Sequence, residues 1–216
     1  MAASHRQAFQ SRDAVAPIRL AFLSGHRRRI SAARFNPDGS RVATASWDRV
    51  VRVWDASDGR LVAELAGHET PVLCLAWARD GRSLSTGSRD GEVRVWDLLE
   101  SRVMLRGLSA AVGAIAFSGD GSSLSGVSSD GASRTWRTAD GAVENGHDGP
   151  DTKATATALS ADGRFVALGR RDGRVAIRPL DGGAEPAACA DPFPASVVGV
   201  SFSADGRRLL GFDDRD

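Results

Sequence analysis

The chain has 216 residues, a formal net charge of +1 at pH 7 and a hydrophobic fraction of 42%. That hydrophobic fraction is enough for a folded core, which excludes a largely disordered chain. The small net charge excludes a strong bulk attraction to nucleic acid or to an anionic membrane. No apolar run is long enough to cross a membrane, and Pro17 and Arg19 interrupt the first apolar stretch, which argues against a secretory signal. We therefore expect a soluble cytoplasmic protein with no membrane partner and no specific affinity for nucleic acid. The alternative is an organelle protein, because Ser, Ala and Arg occur together at the start of the chain, as in organelle transit segments.

Residues 1–17 carry no continuous apolar stretch and are predicted to form a flexible N-terminal segment. From residue 18 to residue 216, short segments rich in Val, Leu and Phe are separated by Asp-Gly pairs. This alternation is typical of β-strands joined by tight turns, because Asp and Gly tolerate the positive φ angles that hairpin turns need. No window has a sustained apolar period of 3.6 residues, so we predict an all-β domain over residues 18–216.

The strand pattern repeats in groups of four, which we call the inner, second, third and outer strands in chain order, and each second strand follows an Asp-Gly pair. The predicted inner strands are Ile30–Phe35, Val72–Trp77, Val112–Phe117, Ala154–Leu159 and Val197–Phe202. The predicted third strands end near Trp54, Trp96, Trp136 and Arg178. The predicted outer strands are Arg60–Leu65, Arg102–Arg106, Ala142–Asn145 and Ala184–Cys189. A further outer strand, Ile18–Leu23, is predicted to precede the first inner strand without a sheet of its own.

A fixed interval separates the histidines and tryptophans of the first two copies. A Gly-His pair at 25–26 precedes a Trp-Asp pair at 54–55, and the same pairs recur 42 residues later at 67–68 and 96–97. The third copy keeps Trp136 but has Leu108 where the histidine is expected, and the fourth has Arg178 in place of the tryptophan. In its Gly-His and Trp-Asp pairs and in a period of roughly 40 to 45 residues, the chain resembles the WD-repeat (WD40) family.

The resemblance covers residues 18–216 and implies four-stranded antiparallel blades arranged around a central channel. By this pattern the chain holds about four blades, part of a fifth and an orphan outer strand, so the expected fold is an incomplete β-propeller. Seven blades, the usual number, would need roughly 300 residues at this repeat length. The chain is therefore expected to be either a piece of a larger propeller or an open arc. An open arc would expose sheet edges and favour self-association.

The resemblance also implies a buried hydrogen-bond network in each well-preserved repeat, joining a histidine, a hydroxyl, an aspartate and a tryptophan. The residues at these positions are His26, Thr44, Asp48 and Trp54, then His68, Thr86, Asp90 and Trp96, and finally Asp130 and Trp136. Ser46 and Ser88 lie close enough in sequence to supply the hydroxyl instead. A hydroxyl–His–Asp set is also the pattern of a catalytic triad. An active site would not normally recur at a fixed offset, whereas a structural network should, so we predict a structural role and no catalytic residues.

The loops before the inner strands and the turns after the second strands are expected to meet on one side of the domain, which we call the top face. The candidate partner-binding residues there are Trp47, Arg27, Arg28, Arg29, Arg89 and Arg171. A large aromatic side chain among arginines is the composition of interface hot spots. The alternative is that Trp47 packs against a neighbouring blade and the arginines form a solvated rim, and the sequence favours neither.

These patterns favour a non-enzymatic scaffold that binds other proteins or peptides through its top face. We predict no metal site and no cofactor, because Cys74 and Cys189 match no metal or redox spacing and no Gly-rich phosphate loop precedes a helix. The alternative function is a regulatory or sensor propeller module of a larger enzyme, such as a kinase or a nucleotide-hydrolysing switch, whose catalytic domain is not in this chain. A third interpretation is a decayed remnant, since the repeats degenerate along the chain.

Overall fold

The computed structural model of the chain describes residues 23–98, 102–148, 154–180, 192–203 and 205–214. Every regular element within these ranges is a β-strand, which confirms the predicted all-β fold. Three predicted segments lie outside the described residues. They are the N-terminal segment 1–17, the outer strand Ile18–Leu23 except for its last residue, and the outer strand Ala184–Cys189.

The strands form five antiparallel sheets that follow one another along the chain, and we call each sheet a blade. The first blade contains β1 (Ile30–Phe35), β2 (Arg41–Ser46), β3 (Val50–Asp55) and β4 (Leu61–Ala66). The second contains β5 (Val72–Trp77), β6 (Ser83–Ser88), β7 (Val93–Asp97) and β8 (Arg102–Leu105). The third contains β9 (Val112–Phe117), β10 (Ser123–Ser128), β11 (Ser133–Arg137) and β12 (Val143–His147). The fourth contains β13 (Ala154–Leu159), β14 (Phe165–Arg170) and β15 (Val175–Pro179), and the fifth contains β16 (Val197–Phe202) and β17 (Leu209–Asp213).

The five inner strands begin and end at the residues that the sequence predicts. The outer strands differ slightly: β4 is Leu61–Ala66 instead of Arg60–Leu65, and β12 is Val143–His147 instead of Ala142–Asn145. Within each blade the hydrogen-bonded neighbours are consecutive in the chain. Each inner strand contacts the inner strand of the next blade, in the order β1, β5, β9, β13 and β16. This arrangement is an incomplete β-propeller, as predicted.

A β-bulge interrupts every inner strand at its second residue. The first residue of the strand pairs with the second strand, the next residue is skipped, and pairing resumes at the third. The skipped residues are Ser31, Leu73, Gly113, Thr155 and Val198. A bulge bends its strand and increases the local twist. Two of the bulged side chains also connect blades, because Ser31 Oγ donates to the Val72 carbonyl and Thr155 Oγ1 donates to the Val197 carbonyl at 2.5 Å.

The apolar core lies between consecutive blades. One buried cluster combines Val53 of the first blade with Trp96 of the second, and another combines Val95 of the second with Trp136 of the third. Trp96 and Trp136 are almost completely buried. A sheet with two apolar faces has to bury both of them, and here each neighbouring blade covers one.

Side-chain sizes are complementary where one blade meets the next. The next-to-last residue of each second strand packs near the first residue of the following inner strand. Gly87 faces Val112 and Gly169 faces Val197, while Ala45 shares one core cluster with Val72 and Val127 shares another with Ala154. A small side chain therefore meets a larger one at every interface. The fit is tight, since a Cβ atom added at Gly87 would lie 2.6 Å from Val112 Cγ1 and 2.8 Å from Cys74 Sγ.

We predict that Gly87→Ala lowers the free energy of unfolding by about 1–3 kcal/mol, because the added methyl group overpacks the interface. Val112→Ala removes Val112 Cγ1, the nearest atom to the added methyl group, so the loss in the double variant should be smaller than the sum of the two single losses. Urea unfolding of the wild type, both single variants and the double variant measures this coupling. Additive losses in the double variant would contradict the direct contact.

Candidate functional site

The first blade joins its four predicted network residues through one threonine hydroxyl. His26 lies in the loop before β1, Thr44 on β2, Asp48 in the turn after β2 and Trp54 on β3. His26 Nε2 lies 2.7 Å from Thr44 Oγ1, and Trp54 Nε1–H donates to the same oxygen at 2.8 Å. His26 Nδ1 lies 2.9 Å from Asp48 Oδ2. Thr44, rather than Ser46, therefore supplies the shared hydroxyl.

Asp48 is the most heavily bonded carboxylate of this network. Besides facing His26, its Oδ2 atom accepts hydrogen bonds from the Arg27 backbone amide at 3.0 Å and from Arg52 Nη1 at 3.1 Å. Its Oδ1 atom accepts from the Val50 amide at 3.1 Å. Burial by itself raises the pKa of Asp48, but these hydrogen bonds outweigh it and hold the pKa well below its usual range. The carboxylate is therefore charged at neutral pH and ties the loop before β1 to the turn after β2.

The second blade repeats the hydroxyl but changes the carboxylate. His68 Nε2 lies 2.7 Å from Thr86 Oγ1, and Trp96 Nε1–H donates to that oxygen at 2.8 Å. The carboxylate facing His68 Nδ1 is Glu92, whose Oε2 atom is 3.0 Å away, at ion-pair distance but outside hydrogen-bond alignment. The prediction that Asp90 partners His68 is therefore corrected.

Asp90 instead closes its own turn. Ser88 Oγ donates to Asp90 Oδ1 at 2.5 Å, and the Glu92 amide donates to the same oxygen at 3.3 Å. This geometry also places Ser88 in the turn and leaves Thr86 as the network hydroxyl. Glu92 is in addition held by Arg94, whose Nε and Nη2 atoms each donate to it at 2.9 Å. In the second blade, Glu92 therefore faces the histidine and Asp90 closes the turn, whereas Asp48 has both roles in the first blade.

The third blade replaces the polar network with packing. Leu108 is buried in the place of the histidine, and Gly126 stands where the threonine would be. A Cβ atom at Gly126 would lie 2.9 Å from Trp136 Cζ3, so the indole ring fills the space of the missing side chain. Trp136 Nε1–H donates to the Arg106 carbonyl at 2.8 Å, and Asp130 accepts from Ser128 Oγ at 2.5 Å. Asp130 and Trp136 are therefore not joined in one network.

An arginine opposite the threonine position was missed by the sequence reasoning. Arg52, Arg94 and Arg134 all pair across the strands with the Thr44, Thr86 and Gly126 positions. Arg52 is buried and bonds Asp48 and Glu64, with its Nε atom 3.0 Å from Glu64 Oε2. The signal was present in the Val-Arg-Val-Trp-Asp segments at 51–55 and 93–97. A charged residue on a strand is ordinarily assigned to the solvent face, which concealed its role.

The buried hydroxyls do not have the arrangement of a nucleophile. Thr44 and Thr86 are 2% and 0% exposed, and each shares its oxygen with an imidazole and an indole. A nucleophilic hydroxyl has to reach a substrate as well as its base. We therefore interpret these sets as structural networks that fix the top-face turns relative to the strands.

The top face presents its predicted residues in one corner and two separate turns. Three consecutive arginines, 27–29, run beside the turn that contains Trp47. Trp47 N–H donates to the Arg29 carbonyl at 2.9 Å, and the Arg29 guanidinium lies over the indole ring, 5.9 Å from its centroid. Arg89 and Arg171 are exposed on the corresponding turns of the second and fourth blades. The structure therefore brings Trp47 together with the three arginines, but not with Arg89 and Arg171.

Arg49 belongs to the same corner and was not predicted. Its φ angle is 71°, in the left-handed region, where the other blades have Gly91, Gly131 and Gly173 with φ angles of 88°, 84° and 81°. A residue with a Cβ atom pays about 1–2 kcal/mol for this conformation. The missing glycine after Asp48, in a position where the later copies read Asp-Gly, was the sequence signal for it.

Other candidate chemistry is sparse. A cleft of about 460 Å³ runs along the inner strands and is lined largely by apolar and backbone groups, with Cys74 among them. Burial raises the pKa of the Cys74 thiol to about 12, so it is protonated at neutral pH and a poor nucleophile. The described residues contain no group of three or more His, Cys, Asp or Glu side chains placed to hold a metal ion. Among the same residues, no helix is long and apolar enough to span a membrane.

Comparisons with known proteins converge on one repeat type. The family model described as WD domain, G-beta repeat matches residues 18–55 and 59–97. Protein Mut11 of Chlamydomonas reinhardtii is 50% identical over 40 residues, which is 18% of this chain and 11% of that protein. Guanine nucleotide-binding protein subunit beta-2 of Caenorhabditis elegans is 45% identical over 42 residues, which is 19% of this chain and 11% of that protein. Ribosome assembly protein 4 of Chaetomium thermophilum is 37% identical over 43 residues, which is 20% of this chain and 8% of that protein. The chain thus matches about one repeat of each relative and a small part of its length.

We predict that Asp48→Ala costs about 1–3 kcal/mol of unfolding free energy, because it removes the carboxylate that accepts from the Arg27 and Val50 amides and faces the His26 ring. Asp90→Ala should cost less, since Ser88 keeps its 3.0 Å bond to the Glu92 carbonyl. Urea unfolding of the two variants compares them directly. A larger loss for Asp90→Ala would contradict the assignment of Glu92 as the partner of His68.

The stability should also depend on His68. Burial lowers the pKa of His68 below its ordinary value of 6.5, although the Glu92 carboxylate opposes this. The unfolded chain then binds a proton that the folded chain does not, so the stabilisation is complete above pH 6.5 and is lost as the pH falls towards the lowered value. Asp48, whose pKa is also lowered, contributes to pH dependence only below roughly pH 4.

Melting temperatures measured between roughly pH 7.5 and pH 5.5 test this prediction, because only histidines titrate appreciably in that window. The wild type should lose stability on acidification more steeply than the His68→Gln variant. Identical slopes for the two proteins would show that His68 does not contribute.

Proposed function

Because the chain carries WD40 repeats in residues 18–55 and 59–97, we propose that it is a non-enzymatic scaffold that binds proteins or peptides through its top face. The observation that carries the proposal is the fixed geometry of that face. Asp48 bonds the loop before β1 and the turn after β2 at the same time, so the exposed residues of both segments are held in one arrangement. A preorganised surface loses little conformational entropy on binding.

The names of the relatives support the same class of function. One is a subunit of a guanine nucleotide-binding protein and another is a ribosome assembly protein. These names describe proteins that act with other macromolecules. We propose the cytoplasm as the compartment. The alternative role, a regulatory module of a larger enzyme, stays a prediction that a catalytic domain in the same reading frame would support.

We further propose that these blades belong to a larger propeller, completed by additional blades or by a second copy. The support comes from the fifth blade, where Leu210 and Phe212 of β17 are 67% and 54% exposed. Exposed apolar side chains on a sheet are ordinarily covered by a neighbouring element.

Site-specific photo-crosslinking tests the scaffold role. A crosslinking residue at Arg89 or Arg171 on the top face should capture discrete protein partners in cells. The same residue at Arg60 or Arg79, in exposed turns at the opposite end of the blades, should capture several-fold less. Equal capture at both ends, or substrate turnover that disappears in a folded His68→Ala variant, would contradict the proposal.

Sedimentation of the same samples provides the control for assembly. If these blades need further blades or a second copy, the 216-residue chain by itself should self-associate or bind an apolar dye through its uncovered fifth blade. A monomer that binds no dye would contradict the larger-propeller proposal, while the crosslinking result would still decide the scaffold role.

A further inference from the structure

We propose that the basic corner, formed by Arg27, Arg28, Arg29, Trp47 and Arg49, binds an acidic protein segment. The segment would carry Asp or Glu carboxylates beside an apolar or aromatic side chain. This inference rests on the proposed scaffold function and specifies the chemistry of its partner.

The arginines of the basic corner have no acidic partner among the residues that the structure describes. All four are exposed, and no carboxylate among the described residues lies within ion-pair distance of their guanidinium groups. The nearby Asp48 carboxylate is occupied by His26, Arg52 and the Arg27 backbone amide. The side chains are therefore available to an external anion, and a guanidinium group can bind a carboxylate through two parallel hydrogen bonds.

The backbone holds the three consecutive arginines in place. The Arg27 amide donates to Asp48, the Arg28 carbonyl accepts from Ser46 Oγ at 3.2 Å, and the Arg29 carbonyl accepts from the Trp47 amide at 2.9 Å. Each residue of the run thus has one backbone group bonded to the last residue of β2 or to the turn that follows it. Only the side chains remain to be ordered by a ligand, which lowers the entropic cost of binding.

Trp47 adds an apolar platform within the charged corner. Trp47 is 36% exposed although hydrogen bonding fixes its backbone. The Arg29 guanidinium lies over its ring, 5.9 Å from the centroid, and leaves the rest of the indole accessible. Tryptophan and arginine are the side chains most enriched at energetically dominant interface positions. A segment that offers both carboxylates and an apolar side chain would use both parts of the corner.

The second and third blades do not repeat the basic corner of the first blade. The equivalent loop and turn of the second blade contain Glu69 and Arg89, and those of the third contain Ser109 and Ser129 without any arginine. At the Arg49 position three other blades have glycine, so the first blade accepts left-handed strain in order to carry a cation there. Strain that persists against the pattern of the repeat points to a use for the side chain.

The charge distribution favours an acidic protein over nucleic acid. The whole chain has a net charge of only +1, and four exposed arginines lie together in the basic corner. Nucleic-acid binding draws its affinity from many phosphate contacts along an extended basic stripe. A compact corner with one aromatic platform suits a short segment with a few carboxylates.

Fluorescence anisotropy with a labelled peptide of Glu, Asp and Phe residues tests the proposal on the full chain. Arg28→Glu should weaken binding roughly tenfold at low salt, as expected for reversal of a charge at an interface. The matched reversal Arg79→Glu, in a turn at the opposite end of the second blade, should leave the affinity nearly unchanged. Trp47→Ala should weaken binding without reducing its salt dependence.

Arg49→Gly separates binding from folding. Glycine relieves the left-handed strain, so the melting temperature should not fall, whereas the affinity for the acidic peptide should. Equal affinities for the Arg28→Glu and Arg79→Glu variants would overturn the proposal. Tighter binding of a single-stranded oligonucleotide that displaces the peptide would also overturn it, in favour of nucleic acid. If the acidic peptide fails while top-face crosslinks persist, the partner chemistry is wrong and the scaffold function stands.

Discussion

Packing between consecutive blades is the constraint on which the whole structure depends. No blade can bury both of its faces alone, so the apolar core is divided among the interfaces, and each interface requires side chains that fit. At one interface the small residue Gly87 faces the larger Val112, and at the next the larger Val127 lies in one cluster with the small Ala154. Because the total volume at the contact is what matters, a repeat can change residue types there only together with its neighbour. Stability in such an array comes from each repeat and from its nearest-neighbour interfaces.

The internal networks follow the same logic of joint replacement. A buried imidazole or indole needs a polar partner, since an unpaired buried donor costs more than the bond contributes. In the third blade Leu108 replaces the histidine and Gly126 replaces the threonine, and the Trp136 N–H turns to the Arg106 carbonyl. The histidine and the threonine, which bond each other in the first two blades, are thus both replaced in the third. The third repeat therefore exchanges hydrogen bonding for packing, and its four-stranded framework stays intact.

The strands could be predicted from the sequence because their signals are local: apolar runs, Asp-Gly turns and the 42-residue interval. The partner of His68 could not, because Asp90 and Glu92 lie in the same turn and sequence does not specify which carboxylate reaches the ring. Arg52 was missed since its burial depends on two carboxylates from different segments. The bulges were also missed, because skipping one residue leaves no mark on composition.

The buried network and the exposed corner of the first blade are one mechanical unit. Asp48 Oδ2 accepts from His26 inside the blade and from the Arg27 amide at the surface. In the second blade, where Glu92 faces the histidine and Asp90 closes the turn, no carboxylate makes both contacts within the described residues. The carboxylate that is fixed by the buried network of the first blade therefore also fixes the backbone of the exposed arginine run. A surface built in this way keeps its geometry without a partner, which is what a scaffold needs in order to recognise one.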